Sequence, residues 1–154
     1  MGERTPYATP NARGTFVGMP PNTLRHELTK AVLEGVAFGL KDSLDILKDM
    51  RIEVKEIRVI GGGAKSRAWR QILADVFGQE ILGINTNQGG ALGAAILAAV
   101  GDGLYPSVEE AAQVMIQTLD PVSPSMDQSK VYAEKHKAYQ YLYRCLEPFF
   151  EIKK

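Results

Sequence analysis

Apolar residues recur at helical spacing through one long stretch of the chain: Leu24, Leu28, Val32, Val36, Leu40, Leu44 and Leu47, with the small residues Ala31, Gly35, Gly39 and Ser43 beside them. That spacing predicts a long helix with Asn22 or Thr23 as its N-cap. A second apolar row, Leu33, Ala37 and Phe38, widens the stripe beyond what a surface helix needs. Gly35 and Gly39 lower helix propensity, so something is expected to pack closely against the glycine side. Ahead of the helix, residues 1–14 hold Gly2, Pro6, Pro10 and Gly14 among polar residues and read as extended or looped chain. Thr15-Phe16-Val17-Gly18 fits a short strand before the turn at Pro20-Pro21.

From residue 54 the pattern changes to strand followed by helix. The run 54–60 predicts a strand, Gly61-Gly62-Gly63-Ala64 a connection, and 66–77 a helix with Trp69, Ile72, Leu73, Val76 and Phe77 on one face and Gly78 as its C-terminal cap. A second short strand is expected at 81–84, a turn at Asn85-Thr86-Asn87, and a small-residue helix over 89–100 closed by Gly101. Ser107-Val108-Glu109-Glu110, just after Pro106, has the form of a capping box and predicts a helix ending near Thr118. Pro121, Pro124 and the serines around them mark a loop. The last helix is expected to begin near Ser129, to carry Tyr132, His136, Tyr139, Tyr143 and Leu146 on one face, and to stop at Pro148. Alternating strands and helices predict an α/β layered fold. No internal repeat or low-complexity tract interrupts them.

Composition narrows the functional classes. The 154 residues are 45% hydrophobic and 23% charged, enough for one core of moderate size, so one domain or a large part of one is expected. Eighteen Lys+Arg balance eighteen Asp+Glu, which leaves no long-range field toward nucleic acid or an anionic membrane. Cys145 has no cysteine partner in the chain, so it reads as a packing thiol in a reducing compartment. The opening Met1-Gly2-Glu3-Arg4-Thr5-Pro6 has no secretory apolar run, and no stretch reaches the ~20 apolar residues of a membrane-spanning helix. A cytoplasmic protein is expected.

The candidate chemistry centres on the triple glycine. Between a strand and a helix it lets backbone approach a ligand with no side chain in the way, and the free N–H groups at the helix start near Ser66 favour an anion or a polar edge. A tight connection that needs positive φ explains the same glycines. A dinucleotide fingerprint fails because the sixth position from Gly61 is Ser66, and a Walker A loop fails because Gly63-Ala64-Lys65-Ser66 has alanine where glycine is required. Lys65 and Arg67 either screen phosphate charge or form a solvated basic pair. His26 and His136 lie far apart and no zinc-type spacing occurs, so no metal site is expected. Glu34 and Asp42, two turns apart on the long helix, fit a paired-carboxylate site or, more in keeping with their type, solvation and local salt bridges. The tyrosines of the last helix read as a packing face, since basic residues are thin among them.

At these residues the chain resembles the FGGY carbohydrate kinases. Gly14-Thr15-Phe16-Val17-Gly18-Met19, then seven residues, then Glu27-Leu28-Thr29-Lys30-Ala31-Val32-Leu33-Glu34 match the family's second signature along its length. Three further blocks resemble the members that act on xylulose: Gly2-Glu3-Arg4-Thr5-Pro6; Gly61-Gly62-Gly63-Ala64-Lys65-Ser66 continuing to Trp69-Arg70-Gln71-Ile72-Leu73-Ala74-Asp75; and Gly90-Ala91-Leu92-Gly93-Ala94-Ala95. The likeness runs from residue 1 to about 103 and is looser beyond.

The resemblance implies two actin-like (ribonuclease H-like) domains with ATP and sugar in the cleft between them. Residues 1–154 would be the C-terminal, nucleotide-side portion of the second domain, with the sugar-binding domain and the start of the second domain outside it. It implies transfer of the ATP γ-phosphoryl group to D-xylulose with Mg²⁺, and it places Gly62, Gly63 and Ala64 against the nucleotide. Arg67 stands where glycerol kinases of the family often carry asparagine near the adenine. The family's aspartate base and phosphate loop lie upstream of the Gly-Glu-Arg-Thr-Pro block, so no catalytic or metal-binding residue is carried over and this portion alone is expected to be inactive. A non-catalytic actin-like module that binds nucleotide or a partner protein is the alternative. The resemblance also implies sheet strands without neighbours, hence a homo-oligomer or dependence on the rest of the enzyme for solubility.

Overall fold

The structure is a computed structural model that describes residues 2–86 and 88–152. Its elements in chain order are α1 (Arg25–Asp49), β1 (Ile57–Val59), a 3-10 turn (Gly62–Lys65), α2 (Arg67–Phe77), β2 (Ile81–Ile84), α3 (Gly89–Gly101), α4 (Val108–Met115), β3 (Thr118–Val122) and α5 (Met126–Glu151). They form two compact units, one of Met1–Val54, Asp75–Gly78 and Ser125–Lys154, the other of Lys55–Ala74 and Gln79–Pro124.

The first unit is built on α1 and α5. Ala37, Phe38 and Leu44 of α1 are buried, as are Tyr132, His136 and Phe150 of α5 and Val76 and Phe77 at the end of α2. The Phe38 ring lies 5.4 Å from that of Tyr139, 5.6 Å from His136 and 6.1 Å from Tyr132, centroid to centroid, so one aromatic anchors the helix pair. Polar links run through the same contact. Asp42 Oδ1 accepts from His136 Nε2 at 2.9 Å and from Gln140 Nε2 at 2.6 Å. Glu34 Oε1 accepts from the Tyr132 hydroxyl at 2.8 Å, while Lys30 and Lys135 flank its carboxylate at 3.5 and 3.6 Å. Near the N-terminus, Tyr7 stacks on Tyr143 and Thr9 shares a hydrogen bond with the Tyr143 hydroxyl.

The helix turns its faces opposite to what the periodicity suggests. Of the row that defines the period, Leu24, Val32, Val36, Leu40 and Leu47 are exposed, Leu28 is half-buried and Leu44 is buried, whereas in the second row Ala37 and Phe38 are buried and Leu33 is half-buried. The close packing expected on the glycine side is not found: an added Cβ at Gly39 would make ordinary contact with Tyr139 Oη at 3.7 Å, and one at Gly35 would meet open space. The N-cap is Leu24 rather than Asn22 or Thr23: Glu27 Oε2 accepts from the Leu24 N–H at 2.7 Å, and the Thr23 hydroxyl donates instead to the Pro20 carbonyl at 2.6 Å. Residues 15–18 form no strand. Helix α5 starts ahead of Ser129 because the Ser125 N–H finds an acceptor in Asp75 Oδ1 at 2.7 Å. It also continues past Pro148 to Glu151.

The second unit is a three-stranded sheet in the order β1-β2-β3 with α2, α3 and α4. Strands β1 and β2 run parallel, Ile57 opposite Ile81 and Val59 opposite Gly83. Strand β3 lies antiparallel to β2, with a register shift between Ile81 and Gly83. This replaces the loop expected around Pro121 and ends α4 at Met115 rather than near Thr118. Among the described residues β3 pairs with β2 alone, and an edge strand is where proline is tolerated. Leu73, Ala74, Ile81, Ile96, Ala111 and Val122 are buried in this unit. Gly78 caps α2 as expected, with φ +64° and the Gln79 N–H on the Ala74 carbonyl at 3.3 Å. Helix α3 runs through Gly101, and its left-handed closing residue is Gly103, φ +77°. The capping serine of α4 is in place, Ser107 Oγ accepting from the Glu110 N–H at 3.1 Å. Among the described residues no helix is long and apolar enough to cross a membrane.

Burial, and then the hydrogen bond to Glu34, push the Tyr132 phenol above its ordinary range near 10. A raised phenol value in the folded state means stability that is complete below about pH 10 and lost as the pH climbs through and beyond it. Urea titrations from about pH 8 to about pH 11 should show that loss, and Tyr132→Phe should flatten it. An equally steep alkaline loss in Tyr132→Phe would show that other groups carry it.

Candidate functional site

Two parallel strands end side by side in the second unit, and each leads into a glycine-bearing connection and a helix: β1 into Gly61-Gly62-Gly63 and α2, β2 into Gly89-Gly90 and α3. In parallel α/β sheets the carboxyl ends of the strands, with the helix N-termini facing them, are where ligands bind.

The three loop glycines have different reasons to be glycine. Gly61 has φ +86° and ψ −174°, a backbone conformation open essentially to glycine alone. It turns the chain out of β1 into the 3-10 turn, which the Ala64 N–H closes on the Gly61 carbonyl at 3.2 Å. Gly62 is exposed, and a Cβ there would meet nothing within 4 Å. Gly63 is exposed too, but a Cβ there would sit 3.2 Å from Trp69 Cδ1 and Nε1. The tight-turn and ligand-approach explanations of the triple glycine therefore apply to different residues: Gly61 makes the turn, Gly62 is open, and Gly63 accommodates the indole.

The start of α2 is held by Ser66, whose Oγ accepts from the Trp69 N–H at 3.3 Å while its own N–H donates to the Gly63 carbonyl at 3.0 Å. Ala64 is half-buried, and Lys65 and Arg67 are exposed on either side of Ser66. Gly62, Gly63, Ala64 and Arg67 thus fall within one short turn and the first residue of α2.

The second connection was not singled out by the sequence as part of this site. A Cβ on Gly89 would lie 2.7 Å from Ile60 Cδ1, so the absence of a side chain lets the start of α3 approach the end of β1. An apolar cleft of about 220 Å³ opens there, lined by Ile60, Ile84, Leu92, Ile96 and Ile116 with the Arg58 stem and two glycines. The Asn85 side chain ties the end of β2 down, donating to the Met115 carbonyl and accepting from the Gln117 N–H, both at 3.2 Å. Thr86 Oγ1 accepts from the Gln88 N–H at 3.0 Å at the entry to α3. The turn expected at Asn85-Thr86-Asn87 is covered for its first two residues, and Asn87 lies outside the described residues.

Glu34 and Asp42 do not form a paired-carboxylate site. Each is taken up separately by α5 partners, and Asp42 is buried rather than solvated. His136, which the sequence offered only as a member of a packing face, is what Asp42 meets; its spacing of 94 residues from Asp42 carries no local signal. No three His, Cys, Asp or Glu side chains converge on a metal-sized site among the described residues.

Residues 1–101 match the family model of the FGGY family of carbohydrate kinases, C-terminal domain. The xylulose kinase of Staphylococcus epidermidis is 34% identical over 143 residues, which are 93% of this chain and 29% of that protein. Among solved structures, the xylulose kinase from Rhodospirillum rubrum superposes with a TM-score of 0.79 at 30% identity, over 90% of this chain and 28% of that one. Plasmodium falciparum glycerol kinase with ADP gives a TM-score of 0.71 at 26% identity, over 99% and 30%. The chain spans 29% of the length of the first curated relative it matches.

Gly61→Ala should lower the unfolding free energy by about 1–3 kcal/mol, because alanine must hold a conformation that only glycine enters freely. Gly62→Ala, which meets open space, should stay within about 0.5 kcal/mol of the parent. Chemical denaturation of the pair checks this, and equal stability of both variants would contradict the division of roles within the loop.

Proposed function

Since the chain belongs to the FGGY family of carbohydrate kinases, within its C-terminal domain, and shares the actin-like fold of that family, we propose that it is the nucleotide-side portion of an ATP-dependent kinase acting on D-xylulose in the cytoplasm. The observation that carries this is the β1 connection, where an obligatory glycine conformation at Gly61 leaves the backbone of Gly62 bare in front of the first turn of α2.

ATP fits these residues in kind. Gly62 and Gly63 offer exposed backbone, Ala64 a small side chain, and Arg67 a positive charge at the start of a helix whose own dipole favours anions. The apolar cleft beyond Ile60 is the type of surface a purine face prefers. Support for the nucleotide comes also from the glycerol kinase relative, whose structure is with ADP. The choice of D-xylulose rests on xylulose kinases standing among the relatives that cover most of this chain.

In the reaction the bond from the γ-phosphorus to the ADP oxygen breaks, a bond to the sugar hydroxyl oxygen forms, and the hydroxyl proton passes to a carboxylate base. Residues outside this portion supply that base and the remainder of the phosphate site. Mg²⁺ would neutralise charge on the phosphates of the nucleotide. What this portion contributes is position: a rigid turn and two helix starts that fix one end of the nucleotide, so that the far end meets the sugar in line.

The chain by itself is expected to release no ADP in a sugar-dependent coupled assay with Mg²⁺; such release would overturn the division of labour. In the assembled kinase, Gly62→Val should raise the ATP KM about tenfold or more and change the D-xylulose KM little. Loss of sugar affinity with ATP affinity intact would remove the loop from the nucleotide site.

A further inference from the structure

Helix α2 carries a charge on the face that should have none. Residues three and four apart on a helix share a face, so Arg70 stands in line with Leu73 and Ala74, which are 2% and 0% exposed. Arg70 itself is only 8% exposed. An apolar side chain would serve a helix packed on a sheet, whereas a guanidinium taken out of water is costly even when partnered, as Arg70 is. What the arginine adds is reach and a planar fork, which fix a direction that an apolar contact leaves free.

Gly83 is a glycine for reasons of space. It lies inside β2, on the same face as the fully buried Ile81, and its backbone has no positive φ that would call for glycine. A Cβ there would sit 3.3 Å from Arg70 Nη1 and 3.2 Å from the Leu119 carbonyl oxygen of β3. The missing side chain therefore makes room on the sheet for the guanidinium. Gly83 also stands opposite Val59, the last residue of β1, and one residue before Ile84 closes β2. The tip of Arg70 thus meets the sheet where both parallel strands end.

The backbone of Arg70 belongs to the glycine connection. Its N–H donates to the Ser66 carbonyl at 3.0 Å, in the turn where Ser66 Oγ accepts from the Trp69 N–H at 3.3 Å and the Trp69 indole lies against Gly63. Gly63, Ser66, Trp69, Arg70 and Gly83 form a continuous run, all of it within the second unit. We propose that Arg70 is a positioning residue for the nucleotide site: seated over Gly83, its guanidinium sets the height and rotation of the first turn of α2 against the strand ends, and so holds Gly62 and Gly63 in place. The identity of the ligand rests on the kinase reading above; the seat over Gly83 rests on the geometry alone.

Trp69 is the one tryptophan of the chain, so its fluorescence reads the turn directly. Arg70→Met keeps much of the length of the side chain and removes the fork. In the chain alone, well below its melting temperature, this variant is expected to shift Trp69 emission to longer wavelength and to steepen its quenching by acrylamide, with far-UV circular dichroism unchanged. Arg70→Lys, which keeps the charge without the fork, should fall between Arg70→Met and the parent, and serves in its place if Arg70→Met does not fold. Gly83→Ala, which crowds the seat, should disturb the indole in the parent and add little in Arg70→Met. In the assembled kinase Arg70→Met should raise the ATP KM about tenfold and leave the D-xylulose KM and kcat within about twofold. A loss of stability alone would lower the amount of active enzyme and leave both KM values unmoved. The proposal is overturned if Trp69 ignores both Arg70 variants, or if Gly83→Ala acts equally in the two backgrounds. A freed indole with an unmoved ATP KM would overturn the nucleotide role and leave the seat standing; a raised ATP KM with an undisturbed indole would overturn the seat and leave the kinase reading standing.

Discussion

The first unit depends on where Asp42 goes. A carboxylate taken out of water must find hydrogen-bond donors, and α5 supplies two, from His136 and Gln140, at one point of the helix contact. Either face of α1 could be buried on apolarity alone. The charged residues break the tie, because only the face toward Tyr132, Lys135, His136 and Gln140 lets Glu34 and Asp42 keep their partners. Phe38 then fills the middle of the contact, ringed by Tyr132, His136 and Tyr139.

A comparable local constraint sets the candidate site. The backbone of Gly61 occupies a region closed to other residues, and that single conformation decides the direction in which the chain leaves β1. Ser66 then fixes the beginning of α2. The site is in this sense made of backbone and helix ends, which suits a portion whose proposed task is to hold a nucleotide in place rather than to move a proton.

Val32, Val36 and Leu40 of α1 and the backbone of Gly62 are exposed, and β1 pairs on one side only among the described residues. On α1 the polar side chains Glu34 and Asp42 find partners on α5, while apolar residues of the same helix stay at the surface.

How much of this was legible depends on the range of the interaction responsible. Helical spacing, the glycine-bearing connection and the caps at Gly78 and Ser107 act within a few residues, so the sequence by itself determined the long helix, both parallel strands, α2, α3 and the start of α4, and the family signatures determined the kinase relationship. Where the deciding partner was distant in the chain, the local signal misled. Strand β3 exists because β2 offers an edge that tolerates Pro121. Helix α5 begins early because Asp75 receives the Ser125 N–H. The Asp42–His136 pair joins residues 94 apart. Which face of α1 is covered was likewise decided only in the tertiary structure, because periodicity records that a stripe is apolar but not which of two stripes has a charged neighbour whose partners lie on another helix.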